Sequence, residues 1–212
     1  MGNREALLLG AKCCLLEKGF ARTTARDIAG AAGVSLAAIG YHFRSKEALL
    51  TEALMLAIED WDKDFRSALN AAACADVDPA QRFETIWAQL IKTFETHRPL
   101  WVANFEVFSQ IDHLPEIRRV LSDSLQQARS GLASLFLNKE ESAIDEQTAR
   151  TSGAFYHALL SGLISQFLID PDHALSAQDL TGALRTIASD IVPSHKPSKT
   201  KPEHIQKKMK SR

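Results

Sequence analysis

The sequence has 212 residues, of which 45% are hydrophobic and 24% charged, an ordinary globular composition that argues against a wholly disordered chain. It has no uninterrupted apolar run of the roughly 18 to 20 residues that a membrane span needs, and charges are mixed into its first residues. We therefore expect a cytoplasmic protein with no membrane association. The three cysteines lack zinc-ligand spacing, and no metal or other cofactor is expected.

The net charge of −1 is unevenly distributed along the chain. Residues 1–50 carry 7 Lys and Arg against 4 Asp and Glu, residues 51–192 carry 11 against 21, and residues 193–212 carry 7 against 1. The basic tail has three prolines and few apolar residues, so it is expected to be disordered. Non-specific attraction of this tail to DNA is the alternative.

Apolar residues recur at helical spacing almost throughout, which predicts an all-α protein of about nine helices. The predicted helices are at about 4–18, 25–32, 36–43, 46–69, 79–97, 99–110, 114–137, 144–169 and 176–192. Their ends carry typical signals: Gly19 closes the first, Thr23 and Thr24 precede the second, Ser35 precedes the third, and Pro79 opens the fifth. Three segments follow: a three-helix domain at 1–50, a helical domain at 51–192, and the tail at 193–212.

The second and third helices have the pattern of a helix-turn-helix, at about 25–44. Gly33 can adopt the positive φ of the tight turn between them. The apolar side chains that would pack the two helices together against the first are Ile28, Ala29, Ala32, Val34, Ile39 and Phe43. A bihelical DNA-binding unit is the expected result.

The outward face of the third helix is small and uncharged, with Leu36, Ala37, Gly40 and Tyr41 pointing away from the core and Ala38 at its edge. Such a face would let the backbone enter a major groove, where short apolar groups contact thymine methyls. Gly40 costs about 1 kcal/mol relative to alanine within a helix, which makes sense if a Cβ there would meet DNA. The rim consists of groups that can donate to phosphates or, for Arg26, to a guanine edge: Thr24, Arg26, Tyr41, His42, Arg44 and Lys46.

Residues 5–50 resemble the TetR (tetracycline-repressor-like) family of regulators. The matching residues are Gly19-Phe20, Thr23-Thr24, Asp27-Ile28-Ala29, Ala32-Gly33-Val34-Ser35, Ile39, Tyr41-His42-Phe43 and Ser45-Lys46-Glu47-Ala48-Leu49. The resemblance implies phosphate contacts from Thr24, Tyr41, His42 and Lys46, and base-facing positions for Arg26, Leu36, Ala37, Ala38 and Gly40. Leu36 and Gly40 depart from the common pattern, where a polar and a larger residue are frequent, and this bears on the operator sequence.

By the same resemblance, the remaining helices should dimerise and hold a small effector, and the regulator should be a repressor that the effector releases from a palindromic operator. Helix 144–169 is apolar nearly all round, so it needs burial on two faces. Together with helix 176–192 it predicts a four-helix interface across a two-fold axis. Effector binding is expected to shift helix 46–69 and so tilt the two DNA-binding units.

The predicted effector pocket lies among the helices from about 79 to 167, and a mostly apolar small molecule is expected there. Its candidate lining is Trp87, Phe94, Trp101, Asn104, Phe105, Phe108, Arg129, Phe155 and His157. Aromatic residues at helical spacing are more often core residues than ligand contacts, so core packing is the alternative.

Two other functions remain open at this point, a helical enzyme and a protein-binding adaptor that does not touch DNA. The sequence has no nucleophile elbow, zinc-protease motif, di-iron Glu-x-x-His pair or phosphate-binding glycine loop. We therefore predict a regulator and no enzymatic activity.

Overall fold

A computed structural model describes residues 2–72, 78–112 and 115–191, and these residues form an all-helical fold. Its nine helices are α1 (Asn3–Lys18), α2 (Ala25–Ala32), α3 (Ala37–Phe43), α4 (Lys46–Ala72), α5 (Pro79–Thr96), α6 (Arg98–Glu106), α7 (Pro115–Leu137), α8 (Glu146–Ile169) and α9 (Ala177–Ile191). The predicted fold class is therefore confirmed. The basic tail expected at 193–212 lies outside the described residues, as does residue 192.

The first three helices form a compact head in which local signals fix the helix ends. Thr24 and Asp27 make a reciprocal capping box at the start of α2, and Gly33 ends that helix in the left-handed conformation with φ of 65°. Gly19 ends α1 with φ of 85°, and its N–H donates to the Leu15 carbonyl. The start of α3 differs from expectation, because it begins at Ala37 with no side-chain cap.

Ser35 contributes to α3 through its backbone, not through its hydroxyl. Its carbonyl accepts the N–H of Ala38 at 3.0 Å, so the helix is entered through a turn. Ser45, by contrast, caps α4 with its side chain, since its Oγ accepts the Ala48 N–H at 3.0 Å.

Helix α4 joins the head to the rest of the molecule without a break. The predicted boundary between residues 50 and 51 falls within this helix, and the fully buried Leu49, Leu50 and Leu54 belong to one continuous core that extends into both parts. Two ion pairs tie α1 alongside α4, Lys12 with Asp60 at 2.5 Å and Arg4 with Glu52. The head is therefore attached along the first half of α4.

Helices α5 to α9 form the helical domain around an aromatic core. Helix α6 tightens into a 3-10 turn at Val107–Gln110, and α8 contains a π-helical segment at Ala149–Gly153, so two predicted continuous helices are locally distorted. The π segment coincides with a close approach of α7. A Cβ on Gly153 would lie 2.8 Å from the carbonyl carbon of Arg129, so only glycine fits there without movement of α7.

Helix α8 is long and apolar enough, by length and composition alone, to cross a membrane. Its most apolar 18-residue window has a mean hydropathy of 1.2, and only 17% of that window is buried. One such helix is weak evidence for a span, because a helix that packs on two sides in a folded protein has the same composition.

Candidate DNA-binding surface and effector domain

The inward side of the helix-turn-helix is packed as the sequence indicates. Ile28, Ala29, Ile39 and Phe43 are buried, and Ala32 and Val34 are half-buried against the same core. A contact that the sequence pattern did not reveal lies between α1 and α2, where a Cβ on Gly10 would be 3.0 Å from the Ala32 nitrogen. Gly10 thus lets α2 lie directly on α1.

The face of α3 opposite to this core is exposed to solvent. Leu36 is 49% exposed, Ala37 and Gly40 are exposed, and Ala38 is half-buried at the edge. A Cβ on Gly40 would meet nothing within 4 Å, so no contact inside the protein requires glycine at this position. The helix from Ala37 to Phe43 carries no acidic side chain.

The predicted rim residues surround this face, and they differ in how exposed their side chains are and in their contacts with other residues. Tyr41 is 85% exposed, Arg26 is exposed, and His42 is half-buried with its ring edge-on to Tyr41 at 4.8 Å between ring centroids. The guanidinium of Arg44, a residue with φ of 67°, lies 3.7 Å from the Glu116 carboxylate. Both side chains of that pair are largely exposed, so Arg44 can leave Glu116 at little energetic cost.

Two rim residues also have structural roles within the head. The Lys46 ammonium donates to the Thr23 carbonyl at 3.1 Å and lies 3.4 Å from the Glu47 carboxylate. The Thr24 hydroxyl donates to the Asp27 carboxylate and accepts the Asp27 N–H. The Lys18 ammonium, together with Thr24, holds the pKa of Asp27 well below its usual range. Asp27 therefore stays ionised, and the ammonium of Lys18, also in the head, compensates its charge.

The aromatic residues predicted for the effector pocket do not share one environment. Trp87, Phe94 and Trp101 are almost completely buried in the core, where Trp101 packs edge-on against Trp61 at 4.8 Å between centroids. Phe105 is half-buried and lies edge-on to Phe108, which is 48% exposed, and Phe155 is also 48% exposed. The predicted lining residues are thus divided between the buried core and the surface of the domain.

Polar atoms in the same core lack partners. The indole N–H groups of Trp61, Trp87 and Trp101 are buried with no hydrogen-bond acceptor among the described residues, as is the Nε of Arg129. Each of these groups is a hydrogen-bond donor, so the core contains several buried donors without acceptors. Burial and the nearby charge of Arg129 lower the pKa of His157, which favours the neutral imidazole. Asn104, the other polar candidate, is half-buried on α6.

One residue that the sequence reasoning missed connects the two parts of the molecule. The Glu106 carboxylate, at the end of α6, accepts the backbone N–H of Phe20 at 2.5 Å and of Ala21 at 3.2 Å, in the turn that precedes α2. No local sequence signal predicts this contact, because the partners lie 85 and 86 positions apart. The same glutamate lines an open groove between α6 and α8 of about 410 Å³.

Comparison with known protein families adds independent information. The family model described as bacterial regulatory proteins, tetR family, matches residues 7–53, and the one described as tetracyclin repressor-like, C-terminal domain, matches residues 78–192. The two matches correspond to the head with the start of α4, and to helices α5 to α9. Together they cover well over half of the chain.

Individual relatives agree with the family models. The chain is 25% identical to the HTH-type transcriptional repressor BepR of Brucella suis, over 78% of this chain and 80% of that protein. It is 26% identical to the HTH-type transcriptional regulator BetI of Paraburkholderia xenovorans, over 89% and 91%. Among solved structures, multidrug binding protein EbrR complexed with proflavin has the same fold, with a TM-score of 0.59 at 20% identity over 88% of this chain and 99% of that one.

Proposed function

The chain belongs to the tetR family of bacterial regulatory proteins and is a DNA-binding transcriptional regulator, not an enzyme, and we propose that it binds a palindromic operator as a homodimer and represses transcription until an effector releases it. The observation that carries the DNA assignment is the exposed, uncharged face of α3 with open space at Gly40. A cytoplasmic location, where the bacterial chromosome lies, is part of the proposal.

In the proposed complex α3 enters the major groove. Leu36, Ala37, Ala38 and Gly40 face the bases, where methyl contacts and groove shape determine the preferred sequence. Arg26, exposed on α2, reaches a guanine edge. The phosphate contacts come from Thr24, Tyr41, His42, Arg44 and Lys46, which position the head without reading sequence.

Homodimerisation through α8 and α9 is the second part of the proposal. Leu160, Leu163 and Ile164 of α8 are buried in the domain's own core, whereas Phe155 and Ile169 are 48% and 81% exposed. Ala158 and Gly162 are exposed small residues on the same side of α8, which suits a closely approaching partner helix. This unburied apolar side explains the membrane-like composition of α8 without a membrane.

Helix α9 divides its apolar residues between two surfaces. Leu180 is 4% exposed and α9 packs against α5, so Leu180 belongs to the domain's own core. Ile187 and Ile191, 50% and 72% exposed, remain available to a partner. In a two-fold dimer the two α3 helices must sit roughly 34 to 36 Å apart to enter successive major grooves.

The effector is proposed to be a mostly apolar small molecule that also carries hydrogen-bond acceptors. Unpaired indole donors of Trp61, Trp87 and Trp101 support an acceptor-bearing ligand inserted among the aromatic residues. EbrR binds proflavin, a flat aromatic molecule, within the same fold. Repression is supported by the name of BepR as a repressor.

Selection of bound fragments from the genomic DNA of the source organism, followed by gel shifts at about 200 mM salt, tests this proposal. Binding that persists at this salt and favours one palindromic site is the expected result. Tyr41→Ala should weaken binding to all DNA alike, whereas Ala37→Trp should affect the selected operator most. Equal losses from the two variants on both kinds of DNA contradict the assignment of α3 as the reading helix.

A further inference from the structure

Apart from α4, the head packs against the helical domain through α1, which lies on α6. Among the described residues, side-chain hydrogen bonds or ion pairs join the head to helices after α4 at two points. The first is the Glu106 carboxylate, which binds the turn after α1, and the second is the pair of Arg44 with Glu116. The second is long, at 3.7 Å, and both its side chains are more than 70% exposed, so it contributes little. Glu106 is thus the main polar contact of α6 with the head.

The geometry at Glu106 is that of a small anion site. The N–H groups of Phe20 and Ala21 both donate to Oε2, and a carboxylate makes stronger hydrogen bonds than a neutral acceptor. Gly19, with φ of 85°, leaves room for the carboxylate, because a Cβ at that position would lie 2.9 Å from Oε2. The turn and the side chain from α6 therefore fit each other.

This turn determines where α2 begins. Phe20 is buried in the head core, and the Thr23 hydroxyl donates to the Gly19 carbonyl at 2.7 Å. Thr24 and Arg26 follow directly, the first as the cap of α2 and the second as an exposed side chain on it. A displacement of the turn relative to α6 therefore displaces the side of the head that faces DNA.

We propose that Glu106 is a positioning residue for DNA binding, which fixes the orientation of the head on α6. The inference rests on the DNA-binding function proposed above. Helix α6 is suited to this role, because Trp101 at its centre packs on Trp61 of α4 and Phe94 of α5, and the 3-10 turn Val107–Gln110 follows Glu106 immediately.

Three full-length variants test the role: Glu106→Ala, Glu106→Gln and, as a matched control, Glu116→Gln. Affinity for the selected operator is measured by fluorescence anisotropy across a salt series, and amide exchange of Phe20 and Ala21 by NMR. We expect Glu106→Ala to weaken operator binding about ten-fold and to speed exchange of the two amides. The slope of log affinity against log salt should stay unchanged, because no phosphate contact is lost.

The conservative variant separates positioning from simple loss of stability. The side-chain amide oxygen that Glu106→Gln introduces can accept the same two N–H groups, so this variant should restore operator affinity to within about three-fold and slow the two amides again. Glu116→Gln should stay within about two-fold of the wild type, since its pair is exposed.

Several results overturn the proposal. If Glu106→Ala binds the operator as tightly as the wild type while the two amides exchange faster, Glu106 makes only a structural contact. Unchanged exchange means that the hydrogen bonds do not hold the turn. A uniform rise in exchange across the head, with no rescue by glutamine, indicates general destabilisation. A wild type that binds no DNA instead overturns the function on which the inference rests.

Discussion

Replacement of Gly40 by alanine should raise stability and lower operator affinity at the same time. Gly40 lies within α3, without positive φ, and a Cβ there meets nothing within 4 Å. Alanine is better than glycine in a helix by about 0.5 to 1 kcal/mol, and nothing in the isolated protein opposes that gain. For a chain of this size the melting temperature should rise by about 1 to 4 °C.

The same methyl group should interfere with DNA. If the backbone of α3 approaches the base edges closely, the added Cβ must push the helix outward and weaken several contacts together. We expect a loss of about ten-fold in affinity for the selected operator, or about 1.4 kcal/mol, with a much smaller change on unrelated DNA. Differential scanning fluorimetry and fluorescence anisotropy on one preparation measure both effects.

Gly182→Ala is the matched control for this experiment. Gly182 is also an exposed helical glycine with open space around it, but it lies on α9, on the side away from Ile187 and Ile191. The control should gain stability and keep wild-type affinity. If Gly40→Ala also binds the operator with wild-type affinity, glycine is not required for a close approach of α3, and the proposed orientation of the reading helix is wrong.

Three further predictions concern the head, the core and the dimer. Hydrogen bonding lowers the pKa of Asp27 in the folded state, so the ionised Asp27 carboxylate should stabilise the fold at neutral pH, and this stabilisation should be lost below about pH 4. Thermal melts of the wild type and Asp27→Asn should therefore converge in acid. Gly153→Ala, whose Cβ would press on the Arg129 backbone, should lower the free energy of unfolding in urea by about 1 to 3 kcal/mol, and Gly131→Ala, which meets only a flexible guanidinium end, by less. Ala158→Glu places a charge on the exposed side of α8, so this variant should be a monomer in analytical ultracentrifugation and keep the wild-type thermal melt. If the variant remains a dimer, the interface lies elsewhere.

The head was predictable from sequence because its determinants are local. The capping box of Thr24 with Asp27 and the turn at Gly33 each involve residues within a few positions. The burial of Ile39 and Phe43 follows from helical periodicity on one short helix. Only the start of α3 differed, where a backbone turn replaces the expected cap by Ser35.

The helical domain was predictable only in outline, because long-range packing determines its details. Trp87 and Phe155 both occur at helical spacing in apolar helices, yet the first is fully buried and the second is 48% exposed. Which side of α8 meets the domain's own core depends on its contact with α7 at Gly153, and no short pattern records that contact. The same is true of Glu106 and its two partners.

The attachment of the head restricts how an effector can act on DNA binding. Helix α1 is paired along α4 through Lys12 with Asp60 and Arg4 with Glu52, and α4 continues without a break into the helical domain. The head therefore cannot turn freely on a linker at residue 50. Any change of its tilt must move α4 as a unit or displace α6 and its contact at Glu106, and Trp61 against Trp101 joins those two helices. An effector that separates these two tryptophans would act on both routes at once.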